Sequence, residues 1–291
     1  MLKEKSFNTG VVEINYAEGP PSGPPLVLFH GFPGRWEDFL PIIPALSMRW
    51  HIYALDYRGC GRSGRVPGHY RPEDYADDFI TFLQNQLNEP GILFGHSAGG
   101  MLSILLAAQL PEKVRALIIG DSPIDVEQLL VYMSSEEFKS YYSTLRDLAG
   151  HSVKELISAL ADIPVRVLGQ DTPVRYGDRP DVDAASLLSW AKEVSQLDPE
   201  TLEFHARGRA KEYFEKVDFE RALSKISCPV LLLQGNPSLG GFMSDKEVEY
   251  ALSVLPDATH VLIENTGHDL GLNTWEVAPL LRAVTNFLES L

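Results

Sequence analysis

The chain predicts a mostly parallel, doubly wound α/β sheet with a helical segment inserted into it. Three observations carry that prediction. Short apolar runs bounded by Gly, Pro and Asp alternate with helical patterns before Ser122 and again after about Leu223. Several of these runs are apolar throughout, as strands covered on both faces are. Between those two points the alternation stops and helical patterns dominate.

The elements follow in order. Residues 6–18 read as a pair of short strands, with Val11, Val12, Ile14 and Tyr16 apolar. The stretch from Pro20 to Pro25 is a stiff connection. It leads into the buried-strand run Leu26-Val27-Leu28-Phe29, and His51 to Leu55 is the next strand. The loop from Asp56 to Ser63 follows, with Asp56 and Arg58 read as structural. Arg71-Pro72-Glu73-Asp74 begins a helix that runs to about Leu87. Ile92-Leu93-Phe94 is a strand, Met101 to Ala108 a helix, and Val114 to Gly120 the strand after it. Pro229 to Leu233 and His260 to Ile263 complete the strands.

Within the helical insertion, Ser134–Glu137 and Ser152–Glu155 have the spacing of capping boxes. Gly150 ends one helix, and Asp198-Pro199 is an N-cap followed by proline at the first helical position. Tyr132, Met133, Phe138, Tyr141, Tyr142 and Trp190 give this segment an apolar, aromatic face. Most of these positions are expected in its core, and some are expected to line a pocket.

The most informative stretch is Gly95-His96-Ser97-Ala98-Gly99. It is a G-x-S-x-G motif between a strand and a helix, where a sharp turn lifts the Ser97 hydroxyl out of the backbone. The helix N-terminus adds partial positive charge beside it. A serine hydroxyl needs a general base to act as a nucleophile, and the base needs an orienting carboxylate. His268 follows the last strand, after Gly267 allows the chain to turn, and is the candidate base. The first buried strand ends in His30-Gly31-Phe32-Pro33-Gly34. The backbone N–H groups of Phe32 and Ala98 are the candidate oxyanion hole.

Together the segments HGFPG at 30–34, DYRGCGRS at 56–63, GHSAGG at 95–100 and TGH at 266–268 resemble the α/β-hydrolase superfamily over nearly the whole chain. The first two look most like epoxide hydrolases and haloalkane dehalogenases. Those enzymes carry aspartate at the elbow, so Ser97 turns the resemblance toward serine esterases, lactonases and cofactor-free haloperoxidase-like hydrolases. The resemblance implies an α/β-hydrolase fold. Residues 1–122 and 224–291 would form its core and 123–223 a helical cap. It also implies an acid in a G-x-x-D turn after the strand that follows the cap, but Ser238 occupies that position. Two replacements stay open. Asp121 ends the strand after the nucleophile helix, a place some dehalogenases and zearalenone-lactonase-like hydrolases use, and is preferred. Asp245 is the alternative, although Ser244-Asp245-Lys246-Glu247 already reads as a capping box.

Composition narrows the partners. Twenty-five basic against 40 acidic residues give a net charge of −15, which argues against nucleic acid and anionic membranes. No apolar run is long enough to span a bilayer. No apolar signal follows Met1, and the two cysteines, Cys60 and Cys228, are far apart, so a reduced, cytoplasmic protein is expected. The eight histidines show no paired ligand spacing, so no metal and no cofactor are expected. No feature specifies the oligomeric state.

The leading expectation is a serine hydrolase of a small-molecule carboxylic ester or lactone. One alternative is a carbon–carbon bond hydrolase of dienoate-type substrates using the same groups. Another is a slow-turnover ligand receptor on the same fold. Coloured dienoates would separate the first two, and steady-state turnover of aryl esters would disfavour the third.

Overall fold

A computed structural model describes residues 2–165, 172–179 and 182–291. One sheet organises the molecule. An antiparallel hairpin, β1 (Lys3–Asn8) and β2 (Glu13–Glu18), leads into β3 (Pro25–Phe29). A short helix α1 (Ile43–Leu46) precedes β4 (His51–Leu55), and α2 (Pro72–Gln86) joins β4 to β5 (Gly91–His96). Then α3 (Ala98–Gln109) leads to β6 (Val114–Gly120). The order across the sheet begins β1-β2-β4-β3-β5-β6, and β2 joins β4 antiparallel while β4, β3, β5 and β6 run parallel.

The sequence pattern explains the two-sided burial. Val27, Phe29, Leu93, Leu117 and Ile119 point to one face, where Phe79, Phe82 and Leu83 of α2 and Leu102 of α3 cover them. Leu26, Leu28, Ile92, Phe94, Ala116 and Ile118 point to the other, under Phe39 and Leu46. Each strand alternates between two apolar layers, so the strands read as continuous apolar runs.

After β6 the chain leaves the sheet. Helices α4 (Val126–Met133), α5 (Glu136–Leu148) and α6 (Val153–Ala161) come first. A two-residue antiparallel ribbon, β7 (Pro164–Val165) with β8 (Val174–Arg175), and α7 (Ala184–Ser195) follow. Three single-turn helices, α8 (Glu203–Ala206), α9 (Ala210–Tyr213) and α10 (Phe219–Leu223), end the insertion. The chain then returns to the sheet as β9 (Val230–Gly235), α11 (Asp245–Val254), β10 (Ala258–Ile263) and α12 (Ala278–Ser290). β9 lies beside β6 and β10 beside β9, both parallel.

Two details differ from the sequence reading. Ser135, not Ser134, caps α5: its hydroxyl accepts from the Phe138 N–H at 3.2 Å, which puts Glu137 at the second helical position, outside a capping box. Adjacent serines offer two registers, and the buried side of Phe138 selects one. The ribbon β7–β8 is not among the elements the sequence predicts, because two residues per strand leave no period-2 pattern. The capping boxes at Ser152 and Ser244 are both formed.

The loop after β4 ties the insertion to the sheet. The buried Asp56 carboxylate accepts from the Trp36 N–H at 2.7 Å, the Arg62 N–H at 2.9 Å and the Asn15 side chain at 2.8 Å. Arg58 grips Asp78 through two bonds of 2.6 and 2.7 Å. The Gly59 carbonyl then accepts from the Asp198 N–H at 2.8 Å, and Tyr70 donates to the Asp198 carboxylate at 2.6 Å. Among the described residues no helix is long and apolar enough to cross a membrane.

Candidate active site

The strand order reverses at β3, because β4 lies on one side of it and β5 on the other. In such sheets the crevice for a ligand opens at the carboxyl ends of the strands flanking the reversal. Phe32 follows β3 and Ser97 follows β5, so both candidate groups emerge at this crevice.

Ser97 sits in a strained turn, with φ 54° and ψ −122°, held by its N–H donating to the Gly120 carbonyl at 2.8 Å. Such a turn needs the backbones to approach closely. A Cβ on Gly99 would lie 2.1 Å from the Phe29 carbonyl oxygen, so only glycine fits. Gly31 packs beside the turn less tightly: a Cβ there would lie 3.3 Å from the Ser97 Cβ.

His268 reaches back from the loop after β10. Its Nε2 lies 2.9 Å from the Ser97 Oγ and its Nδ1 lies 2.7 Å from the Asp121 Oδ2. With Nδ1 donating to the carboxylate, Nε2 is free to accept the serine proton. Asp121 is fully buried and also carries a positive φ of 38°. Its Oδ1 accepts from the N–H groups of Gly235 at 2.8 Å and Met243 at 3.2 Å, and its Oδ2 accepts from Phe242 at 2.7 Å. Three backbone donors and one imidazole therefore converge on this carboxylate. Asp245 is engaged elsewhere. It accepts from the Gln234 side chain at 2.8 Å, and Gln234 in turn meets His260 at 2.8 Å. The Ser238 hydroxyl donates to the Asn236 side-chain oxygen at 2.6 Å, and the His268 ring nitrogens pair with Ser97 and Asp121 instead.

Ala98 opens α3, so its N–H has no acceptor within the helix. Phe32, Ala98, Ser97 and His268 all line one cavity of about 710 Å³ between the sheet edge and the helical insertion. The dipole of α3 and the two N–H groups can stabilise a negative oxygen there.

Three residues near the site escaped the sequence reading. His96 lies in the motif as an unassigned x residue, and its Nε2 is 2.7 Å from the His268 carbonyl oxygen. Burial lowers its pKa to about 4, so it is neutral and its N–H donates to that carbonyl. Phe242 lays its ring 4.3 Å from the His268 ring. His205, from α8, stacks on Phe32 at 5.1 Å and on Tyr142 at 4.9 Å. Only the first had a local signal, its place in the motif. Tyr132, Tyr141 and Tyr142 all line the cavity, and the Tyr142 hydroxyl points to the Phe32 carbonyl at 3.4 Å.

A sheet of this order, with a serine elbow and a histidine–aspartate pair against it, defines a class. The chain belongs to the alpha/beta hydrolase fold family, whose sequence model matches residues 24–273. Its similarity to 2-(acetamidomethylene)succinate hydrolase of Mesorhizobium japonicum is 26% identity over 295 residues, 98% of this chain and 95% of that protein. It is 25% identical to a bifunctional esterase/perhydrolase of Acinetobacter calcoaceticus, over 96% of this chain and 97% of that one. The crystal structure of E-2-(acetamidomethylene)succinate hydrolase superposes with a TM-score of 0.71 at 23% identity, covering 99% of this chain and 100% of that one. The protein is accordingly a hydrolase of the α/β-hydrolase family.

Proposed function

We propose that this protein hydrolyses a small-molecule carboxylic ester or lactone through an acyl-enzyme. Ser97 attacks the acyl carbon while His268 Nε2 takes its proton. The N–H groups of Phe32 and Ala98 hold the tetrahedral oxyanion, and Asp121 keeps His268 in the accepting tautomer and steadies the imidazolium. The imidazolium returns its proton to the leaving oxygen, and water repeats the sequence on the acyl-enzyme. The observation that carries this reading is the unbroken relay Ser97–His268–Asp121, at 2.9 and 2.7 Å. Residues 1–122 and 224–291 act as the catalytic core in this reading, and 123–223 as a cap that selects the substrate.

A second reading has support from the relative in Mesorhizobium japonicum, whose name describes an acetamido compound. The same groups can cleave an amide if the imidazolium protonates the leaving nitrogen. An organophosphonate probe tests the shared first step. It should label Ser97 and leave Ser97→Ala unlabelled, with ester turnover lost in the variant. Labelling elsewhere with Ser97 untouched would overturn the assignment. Comparing matched esters, lactones and anilides then separates ester from amide cleavage, and dienoate turnover would point instead to carbon–carbon bond hydrolysis.

A further inference from the structure

The cavity lining is mainly aromatic and aliphatic. Among the described residues that line it there is no lysine or arginine, and Glu137 adds an acid. A carboxylate or phosphate on the substrate would find no countercharge from those residues.

One polar side chain stands out in this lining. His205 is only 6% exposed, yet its Nδ1 has no hydrogen-bond partner among the described residues. Its ring is fixed by stacking on Phe32 and Tyr142 within 27° of parallel and by an edge contact with Tyr213 at 4.9 Å. A buried polar nitrogen left without a partner is costly, and native interiors rarely tolerate it. Burial drives the pKa of this ring down to about 3, so it stays neutral and presents one N–H and one acceptor nitrogen. The ring also rests against the residue whose N–H is assigned to the oxyanion.

We propose that His205 is a specificity-determining residue that hydrogen-bonds an uncharged carbonyl or hydroxyl group on an otherwise apolar substrate. The reaction assigned to that substrate rests on the hydrolase reading above, whereas the binding role of His205 does not. A neutral imidazole among apolar walls can pair with a neutral dipole, whereas it brings no positive charge to offset the desolvation of a carboxylate. The substrate class is therefore an apolar ester or lactone carrying one further neutral oxygen. A dicarboxylate like the succinate named for the relative would meet no lysine or arginine among the described residues of the lining.

The test uses two matched ester pairs. In the first, p-nitrophenyl levulinate carries a ketone in the acyl chain that p-nitrophenyl valerate lacks. In the second, the valerate esters of acetylphenol and ethylphenol differ by a ketone in the leaving group. The wild type should favour the ketone member of at least one pair in kcat/KM. His205→Phe, which keeps the stacked ring and removes both nitrogens, should reduce that preference by about three- to tenfold, the range of one lost hydrogen bond. His205→Gln restores a donor and an acceptor and should recover part of it. p-Nitrophenyl hemiglutarate should be a poorer substrate than the valerate. Unchanged ratios in both pairs for His205→Phe, or a preference for hemiglutarate, would overturn the proposal. Binding is read separately by fluorescence titration with phenylbutanone against butylbenzene. The wild type should favour the ketone and His205→Phe should not; equal preference in both proteins overturns the role of His205. This arm decides on His205 even where no ester is turned over, an outcome that would refute the hydrolase reading alone.

Discussion

Replacing Asp121 with asparagine isolates the orienting group with almost no change of shape. The carboxylate has two accepting oxygens, and asparagine keeps only one. If its carbonyl takes the place of Oδ1, it retains the Gly235 and Met243 donors at 2.8 and 3.2 Å. The amide NH2 then faces the Phe242 N–H, where Oδ2 now accepts at 2.7 Å, and His268 Nδ1. The opposite orientation sets the NH2 against two backbone donors, so the first is favoured. In that arrangement the amide donates to Nδ1, the imidazole carries its proton on Nε2, and Nε2 can no longer accept from Ser97. By the precedent of such triads the turnover should fall on the order of 10²–10⁴, about 3–5 kcal/mol of barrier. The one opposed N–H pair should cost roughly 1–3 kcal/mol of stability. The assay is steady-state aryl-ester hydrolysis, with the His268 tautomer read by nitrogen NMR and folding by thermal melting. A folded Asp121→Asn protein within tenfold of wild-type turnover would refute the reasoning. So would one that keeps the Nδ1–H tautomer while losing activity. Asp245→Asn is the control: its amide oxygen can still accept from Gln234, so turnover should stay within about twofold.

Further outcomes follow from the same geometry. Gly99→Ala should lose several kcal/mol of stability, read by chemical denaturation, because its Cβ would meet the Phe29 carbonyl at 2.1 Å; a stable, fully active Ala variant would contradict this. For His205 the folded pKa of about 3 lies below the unfolded value, so its contribution is present above the unfolded pKa and is lost as pH falls toward 3. His205→Phe removes that dependence and should gain roughly 2 kcal/mol on wild type between pH 7 and pH 5, measured as paired denaturation curves; parallel curves would show a ring that protonates in the folded protein. Tyr132→Phe and Tyr141→Phe each remove a hydroxyl from the cavity lining. At least one should alter the ratio of rates between two esters several-fold, and unchanged ratios in both would place selectivity elsewhere.

Local chemistry made much of this protein readable in its sequence. The strands announced themselves because burial on both faces demands unbroken apolar runs such as Leu26 to Phe29 and Val230 to Leu233. The turn at Ser97 was legible because only small neighbours such as Gly99 let a strand and a helix meet so closely. His268 was legible from its place after the last strand. The choice between Asp121 and Asp245 was a preference only, since both lie near the ends of sheet elements in the chain. The tertiary structure decides their surroundings. Three N–H groups from residues 235–243, more than a hundred positions away, converge on Asp121, while Gln234 holds Asp245. His205 and Phe242 left no local mark either. A ring on a single-turn helix reads like any other until folding sets it against Phe32, and a carboxylate or imidazole acquires its role from groups that only the closed fold brings within hydrogen-bonding distance.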